Sequence, residues 1–476
     1  MNVSKAIQEP IFKQISEVIE NKRQQAFVIG GFVRDFLLKR PNPEDIDIVT
    51  EGSGIELAMA IAERYKPKPK VSVFKRFGTA MIKVQNWELE FVGARKESYS
   101  PDSRKPSVEN GTLEDDQKRR DFTVNALAIS LNKDTYGELI DPFDGLSDLQ
   151  NKIIRTPLNP DITYSDDPLR MIRAIRFATQ LNFTIEPLSF EAIKRNAQRI
   201  DILSGERITD EFNKIMMSPQ PGIGLKLLYE AKLLERFLPE LTSLQGIEEI
   251  EGQKHKDNFF HTLEVVDNIS RSTTNLWLRW AALLHDIGKA RTKRFDKKIG
   301  WTFHSHEFVG SKMVLAIFKR LKLPLGEPLK YVQKLVQYSS RPVSLITDEV
   351  SDSALRRLLF DMGNELEDLF LLCKADITTK NTKKQILFKQ NFDYVEEKIK
   401  DVEEKDKIRN FQPPITGHDI MKTFEIEEGK QIGVIKETIK EAILEGIINN
   451  DYKNSYNYML ELGKKLNLKR KNETKL

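Results

Sequence analysis

Apolar residues at Ile7, Ile11, Phe12, Ile15, Val18 and Ile19 recur at helical spacing and predict an amphipathic helix near the start of the chain. The pattern then changes period. "AFVIGG" (Ala26–Gly31) and "IDIVT" (Ile46–Thr50) read as buried strands, whereas "GTAMIKVQ" and "LEFVG" alternate as half-buried ones. Between them "GIELAMAIAERY" has helical spacing, and Arg95 to Lys118, polar with proline and glycine, predicts a mobile loop. After "DPFDGLSDL" the spacing is helical to the C-terminus, with Pro219/Pro221 and Pro413/Pro414 marking breaks. "YVEEKIKDVEEKDKIRN" is charge-dense but periodic, and predicts an exposed helix.

Composition adds bounds. With 476 residues, 39% hydrophobic and 31% charged, the chain has material for several cores. No apolar run is long enough to span a bilayer. The N-terminal segment has neither signal- nor transit-peptide character. The lone Cys373 excludes an internal disulfide and a multi-cysteine zinc site, and predicts a cytoplasmic location. The net charge of +4 is mild. Its placement matters more: "LGKKLNLKRKNETKL", "KRRDF" and "LRMIRAIRF" are basic patches suited to phosphate contacts.

The stretch "FVIGGFVRDFLLKRPNPEDIDIV" breaks its own strand pattern. Gly30 and Gly31 at a strand end let backbone approach a phosphate closely, with Arg34 a possible triphosphate contact. Asp45 and Asp47 are two apart on a strand and face the same side, while Ile46 and Ile48 face the core. Paired hard oxygen donors suit Mg²⁺, and such a pair beside a phosphate-cradling turn points to two-metal nucleotidyl transfer. Glu90 and Glu88, on one strand face, compete as a third carboxylate.

These residues resemble the signature of class II nucleotidyltransferases, the family of CCA-adding enzymes and bacterial poly(A) polymerases. Four further stretches follow in the family's order: "RRDFTVNALA" (Arg119–Ala128), "DPFDGLSDLQNKIIR" (Asp141–Arg155), "DDPLRMIRAIRF" (Asp166–Phe177) and "ERITDEF" (Glu206–Phe212). The resemblance implies an α+β fold: a polymerase-β-like head with a small mixed sheet and helices, then an all-α neck, HD-type body and tail. The expected divisions are a head at 1–155, a nucleotide- and RNA-binding neck at 156–250, an HD domain at 251–395 and a basic helical tail at 396–476. It implies nucleotide-binding roles for Gly30, Gly31, Arg34, Arg120, Asp121, Asn125, Asp167, Arg170, Arg173 and Arg176. Arg120 would contact phosphate, Asp121 would accept from the ribose hydroxyls, and Asn125 would hold the turn. Arg170, Arg173 and Arg176, spaced by three, would present guanidinium groups from one side of a helix.

By the same resemblance Asp167 and Arg170 read the incoming base. Cytosine and adenine both offer an exocyclic amine beside a ring-nitrogen acceptor, which a carboxylate and a guanidinium match; guanine and uracil reverse that pattern. The family usually has Glu-Asp where this chain has Asp166-Asp167. Glu206, Arg207 and Glu211 are expected to buttress the helix carrying Arg170. The implied activity is template-independent addition or repair of the 3′-terminal CCA of tRNA from CTP and ATP, with Mg²⁺ in the head and the tRNA acceptor arm and 3′ end as partner. Poly(A), CC-only or A-only addition shares the same head motifs.

Five of the six histidines lie between His255 and His306. "FFHTLEVVDN", "LRWAALLHDIGKA", "FHSHEFVG" and "LCKADITTKN" resemble the HD superfamily of metal-dependent phosphohydrolases. That resemblance implies a divalent-metal site of His261, His285, Asp286 and Asp376, which His306 would extend. Related members often carry histidine where this chain has Ser339. An HD phosphohydrolase is thus the alternative of another class.

Overall fold

The structure, a computed structural model, describes residues 1–41, 44–75, 78–100, 103–250, 252–347, 351–406, 408–409 and 411–470. It forms two compact units, Met1–Pro239 and Glu240–Leu476. Part of the expected signature, residues 42 and 43, and the last six residues of the basic tail lie outside the described residues.

In the first unit, strands β1 (Gln25–Ile29), β2 (Asp45–Glu51), β3 (Val71–Phe74), β4 (Thr79–Val84) and β5 (Trp87–Gly93) are followed by a hairpin, β6 (Arg95–Ser100) and β7 (Ser103–Asn110). Two short strands complete the set, β8 (Ala128–Ser130) and β9 (Leu139–Ile140). Seven of them make one mixed sheet in the order β3-β4-β5-β2-β1-β8-β9. In this sheet only β2 and β5 pair in parallel, so they need a crossover, which the helix Gly54–Ala62 and the β3–β4 hairpin supply. Helices α1 (Pro10–Lys22), α2 (Gly31–Leu37) and α3 (Gly54–Ala62) flank these strands in the chain.

One sheet face carries the main core, which includes Phe12 and Ile15 of α1, Phe32 of α2, Leu57 and Ile61 of α3, and Ile46 and Ile48 of β2. Burying each isoleucine contributes roughly 1.5–3 kcal/mol. That burial sets the register: a one-residue slip would turn Asp45 and Asp47 into the core. The opposite face carries a smaller cluster around Phe27, Ile29, Val49, Ala94, Leu113 and Ala128.

The segment expected to be a loop is ordered. Apart from residues 101 and 102, which lie outside the described residues, it pairs as β6 with β7, and α4 (Leu113–Lys118) follows, capped by Thr112 and Asp115 in a reciprocal capping box. Its polar composition reflects a ribbon outside the main sheet and a short helix held by its cap. Downstream come α5 (Gly145–Asn151), α6 (Pro160–Asp166), α7 (Leu169–Leu181), α8 (Pro187–Asn196) and α9 (Gly205–Met216). This stretch is not wholly helical: Ile153–Ile154 pairs in parallel with Thr184–Ile185. Pro221 does not end a unit but opens the helix Pro221–Glu230, where its missing N–H costs nothing.

Among its described residues the regular structure of the second unit is helical apart from two short antiparallel pairs, Glu249–Ile250 with Gln253–Lys254 and Arg294–Asp296 with Gly300–Thr302. Residues 394–406 of the charge-dense stretch fall in the helix Thr382–Asp406, which buries Phe392, Val395, Ile399 and Val402, while 407 and 410 lie outside the described residues. Among the described residues no helix is long and apolar enough to cross a membrane.

Candidate active site and candidate metal centre

The chain leaves β1 through Gly30, whose φ of 84° lies in the left-handed region that glycine tolerates best. A Cβ there would lie 3.1 Å from Arg120 Nη1 and 3.2 Å from Asp47 Oδ2, so the absent side chain makes room for both groups. Gly30 N–H donates to the Leu127 carbonyl at 3.2 Å, which makes this glycine a turn-former. Gly31 begins α2 and meets only Arg34, at 3.7 Å.

Asp45 pairs in register with Glu88, and Asp47 with Glu90, so four carboxylates occupy one sheet face. Burial raises the pKa of Asp45, reinforced by Asp47 and Glu88. Burial also raises Asp47, although Arg120 pulls it back. For Glu90, burial acts first, then Asp47 and Asp45. Glu90 thus feels both aspartates and shares with Asp47 a cavity of about 480 Å³, also lined by Arg95, Arg119 and Arg120; neither Asp45 nor Glu88 lines it. This geometry favours Glu90 as the third carboxylate. Like charges crowded at a cavity wall are stabilised by a cation among them, and all-oxygen donors fit Mg²⁺.

Opposite the carboxylates stand two arginines whose support the sequence reading missed. Asp116 of α4, its side chain fully buried, accepts from Arg119 Nε at 3.0 Å and from Arg119 Nη2, and through its other oxygen from Arg120 Nε at 3.2 Å. The signal was present as the i, i+3, i+4 spacing of Asp116, Arg119 and Arg120. The expected loop concealed it.

Several predicted nucleotide-binding groups are committed inside the protein. Asp121 accepts from Phe122 N (2.9 Å) and Asn125 Nδ2 (3.1 Å) on one oxygen, and from Arg173 Nε (2.8 Å) and Nη2 (2.6 Å) on the other. Those four bonds fill a carboxylate's acceptor positions, so Asp121 has none left for a ribose hydroxyl; it ties its turn to α7. Burial works against its ionisation, but Arg173 and the Asn125 amide bring its pKa down to about 2. Asn125 holds the turn as expected, accepting from Arg34 Nη1 at 2.7 Å. Arg34 also donates twice to Asp35, both at 2.9 Å, and is a buried brace, with no guanidinium fork turned to a triphosphate.

Arg176 pairs with Glu211 of α9 at 2.8 Å. The guanidinium carbons of Arg34, Arg173 and Arg176 lie 5.1, 5.3 and 4.0 Å from the Phe177 ring centroid. Such guanidinium–ring stacking is favourable, most of all where water is excluded. Arg173 and Arg176 are therefore internal ties, contrary to the expected row of nucleotide-facing guanidiniums. The i, i+3 rule put the arginines on one side of α7 but could not show that Asp121 and Glu211 already occupied it. Glu211 is the expected buttress.

Asp167 and Arg170 differ. Asp167 Oδ1 caps the Leu169 amide at 3.2 Å, which explains an aspartate before the proline at this helix start. Arg170 Nη2 donates to the Arg119 carbonyl at 2.7 Å. Among the described residues Asp167 Oδ2 and Arg170 Nε and Nη1 make no hydrogen bond, so this pair keeps atoms to offer a ligand.

In the second unit, His261 lies in the helix Asn258–Ser270, His285 and Asp286 follow Leu276–Leu284, and Asp376 ends Leu366–Asp376. His261, His285 and Asp286 each turn a ligand atom to within 4.8 Å of the others. Asp376 Oδ1 completes the set, 2.7 Å from His261 Nε2 and 3.4 Å from His285 Nε2. His285 Nδ1 is bonded to the Ala282 carbonyl at 2.8 Å, which aims its buried, hydrogen-bond-less Nε2 at Asp286 and Asp376. Burial opposes charge here, yet Asp286 and Asp376 push His285 up to about 10. A divalent metal held by these donors would require the His285 nitrogen in its deprotonated form and so would displace a proton. His306 Nε2 stands 3.4 Å from Asp286 Oδ1. Ser339 gives its hydroxyl to the Val336 carbonyl at 3.0 Å. The donor set of imidazole and carboxylate fits a transition metal or Mg²⁺.

Comparison with known proteins matches the regions in which the two clusters lie. Residues 26–155 match the poly A polymerase head domain, 182–245 the probable RNA and SrmB-binding site of polymerase A, and 258–379 the HD domain. The chain is 38% identical over 272 residues to an A-adding tRNA nucleotidyltransferase of Deinococcus radiodurans, covering 56% of this chain and 60% of that one. It is 30% identical over 364 residues to the multifunctional CCA protein of Shewanella frigidimarina, covering 74% and 83%. The fold is similar to that of the Bacillus stearothermophilus CCA-adding enzyme in complex with CTP, with a TM-score of 0.69, 22% identity and coverage of 97% and 99%. The chain spans less than two thirds of the Deinococcus relative's length.

Proposed function

The chain belongs to the family of CCA-adding enzymes and tRNA nucleotidyltransferases, and from that premise we propose that it extends the 3′ end of tRNA without a template, adding or repairing CCA from CTP and ATP. The observation that carries this reading is the sheet face of Asp45, Asp47 and Glu90, of which Asp47 and Glu90 share one cavity with Arg119 and Arg120. Asp45 and Asp47, with Glu90, would hold Mg²⁺. The chemistry such ions supply when bound is a lowered pKa for the attacking 3′-hydroxyl and neutralisation of charge on departing pyrophosphate. Arg119 and Arg120 take the triphosphate, with Gly30 giving the space for its approach. Asp167 Oδ2 accepts from the base amine while Arg170 donates to the ring nitrogen. A guanine or uracil leaves both unpaired, at about 1–3 kcal/mol per lost partner. Asp121, Asn125, Arg34, Arg173 and Arg176 keep these groups in place.

The same reading assigns residues 1–155 to the head and 156–250 to a neck that contacts RNA, with 251–395 the HD domain and 396–476 a basic tail. These basic surfaces recognise the acceptor arm through its backbone and shape. It also places the protein in the cytoplasm. The deciding experiment offers tRNA lacking its 3′ end CTP, ATP or both. CC addition followed by a single A is expected. A long adenylate tail would instead make the protein a poly(A) polymerase, and extension of only CC-ended tRNA by ATP would make it an A-adding enzyme.

The buried His261, His285, Asp286 and Asp376 cluster supports a second, separate reading of the HD domain as a metal-dependent phosphohydrolase. His285→Ala is expected to lower bound divalent metal by at least about tenfold, measured by elemental analysis, and to leave CTP incorporation unchanged. Equal metal content in both proteins would remove this reading.

A further inference from the structure

Asp116 is a carboxylate with no access to water, and its two oxygens are divided between two arginines: Oδ1 receives Arg119 and Oδ2 receives Arg120. A carboxylate persists in such a place only when it is fully paired. Both arginines line the cavity that holds Asp47 and Glu90. Without Asp116 beneath them, these guanidiniums have Asp47 within electrostatic reach and Glu90 in the same cavity. Arginine pairs with carboxylate in a bidentate fork. An ion pair there would occupy the oxygens a divalent cation needs.

We propose that Asp116 is a positioning residue that holds Arg119 and Arg120 toward the triphosphate and off the Asp45/Asp47/Glu90 carboxylates, an inference that rests on the nucleotidyltransferase reading above. The grip is on the Nε side of Arg120. Its Nη1 is left beside Gly30 with only a long, 3.5 Å bond to the Asn125 carbonyl, so its tip is poised to take an incoming phosphate oxygen. The same clamp reaches the base-reading pair, because the carbonyl of Arg119 receives Arg170 Nη2 at 2.7 Å. One buried acid therefore fixes the two phosphate-facing guanidiniums and, through the backbone, the register of Arg170.

The test uses the full-length enzyme with tRNA lacking its 3′ end. Asp116→Asn keeps the shape and removes the charge. It is expected to raise the KM for CTP and ATP alike by about tenfold and the Mg²⁺ concentration for half-maximal activity by a similar factor, with a smaller change in kcat at saturation. Adding Arg119→Gln removes one released guanidinium. The double variant is expected to return the Mg²⁺ requirement most of the way to wild type and to relieve any folding defect caused by an unpaired cation. A role in folding alone would lower the active fraction, leaving KM and the Mg²⁺ requirement in place. Unchanged KM and Mg²⁺ dependence in Asp116→Asn, or no return in the double variant, overturns the proposal. A wild-type protein that adds no nucleotide fails at the functional reading, a different result from a wild type that works and a variant that matches it.

Discussion

Asp47→Asn is expected to abolish nucleotide incorporation and, in the absence of divalent metal, to make the protein more stable. The activity loss should be about a thousandfold or more, since several kcal/mol of transition-state stabilisation depend on held metal and each 1.4 kcal/mol is about tenfold. The stability gain follows from the direction of the shifts. Asp45, Asp47 and Glu90 all have folded pKa values raised, by burial first in each, and the charge of Asp47 pushes Asp45 and Glu90 further up. A raised carboxylate pKa means the folded state favours the proton, so stability falls as pH rises through the unfolded and then the folded pKa. At pH 7 the three charges strain the metal-free fold, and removing one relieves it. Thermal melting at pH 7 with chelator should give a higher Tm for Asp47→Asn than for wild type. Added Mg²⁺ should raise the Tm of wild type more than that of the variant. A variant that incorporates CTP normally would refute the role of the pair.

The largest loss of stability is expected from Asp121→Asn. This acid joins the turn after α4 to α7 through Arg173 and to Arg34 through Asn125. Breaking a buried ion pair by removing one partner costs about 3–5 kcal/mol, because the other charge is left buried. For a unit of this size that corresponds to a fall in Tm on the order of 10 °C. Its folded pKa of about 2 lies below the ordinary carboxylate value of 3.8. Its contribution is therefore fully present above the unfolded pKa and is lost as pH falls through about 2. Acid titration monitored by circular dichroism should show the wild-type advantage over Asp121→Asn shrinking from about pH 4 to pH 2. An advantage that stayed constant across that window would mean Asp121 is not ionised by its ties.

Where one element carries both the pattern and the site, the site was legible. Ile46 and Ile48 alternate with Asp45 and Asp47, and β2 could satisfy that alternation in only one way. The histidine-rich segments could be read similarly, because His285 and Asp286 are adjacent and each neighbour sits on its own helix. What failed were inferences about which partner a charge would meet. The arginines of α7 have the spacing of a binding face, but Asp121 and Glu211 reach two of them from distant parts of the chain. Asp116 was hidden because polar composition between Arg95 and Lys118 predicts disorder, while the hydrogen-bonded ribbon and the capping box that order it are pairings that composition does not record.

By itself the sequence determined which residues face inward along α1, β1 and β2, the order of its motifs, and hence the head with its carboxylate pair and the separate histidine cluster. Periodicity is a property of neighbours in the chain, and burial of an apolar stripe leaves the opposite side little choice. Only the tertiary structure decided which charged groups are spent on one another and which remain for a ligand, Asp167 and Arg170 among the latter. That choice depends on distances between residues far apart in the chain, where one short contact between a guanidinium and a carboxylate outweighs any local pattern.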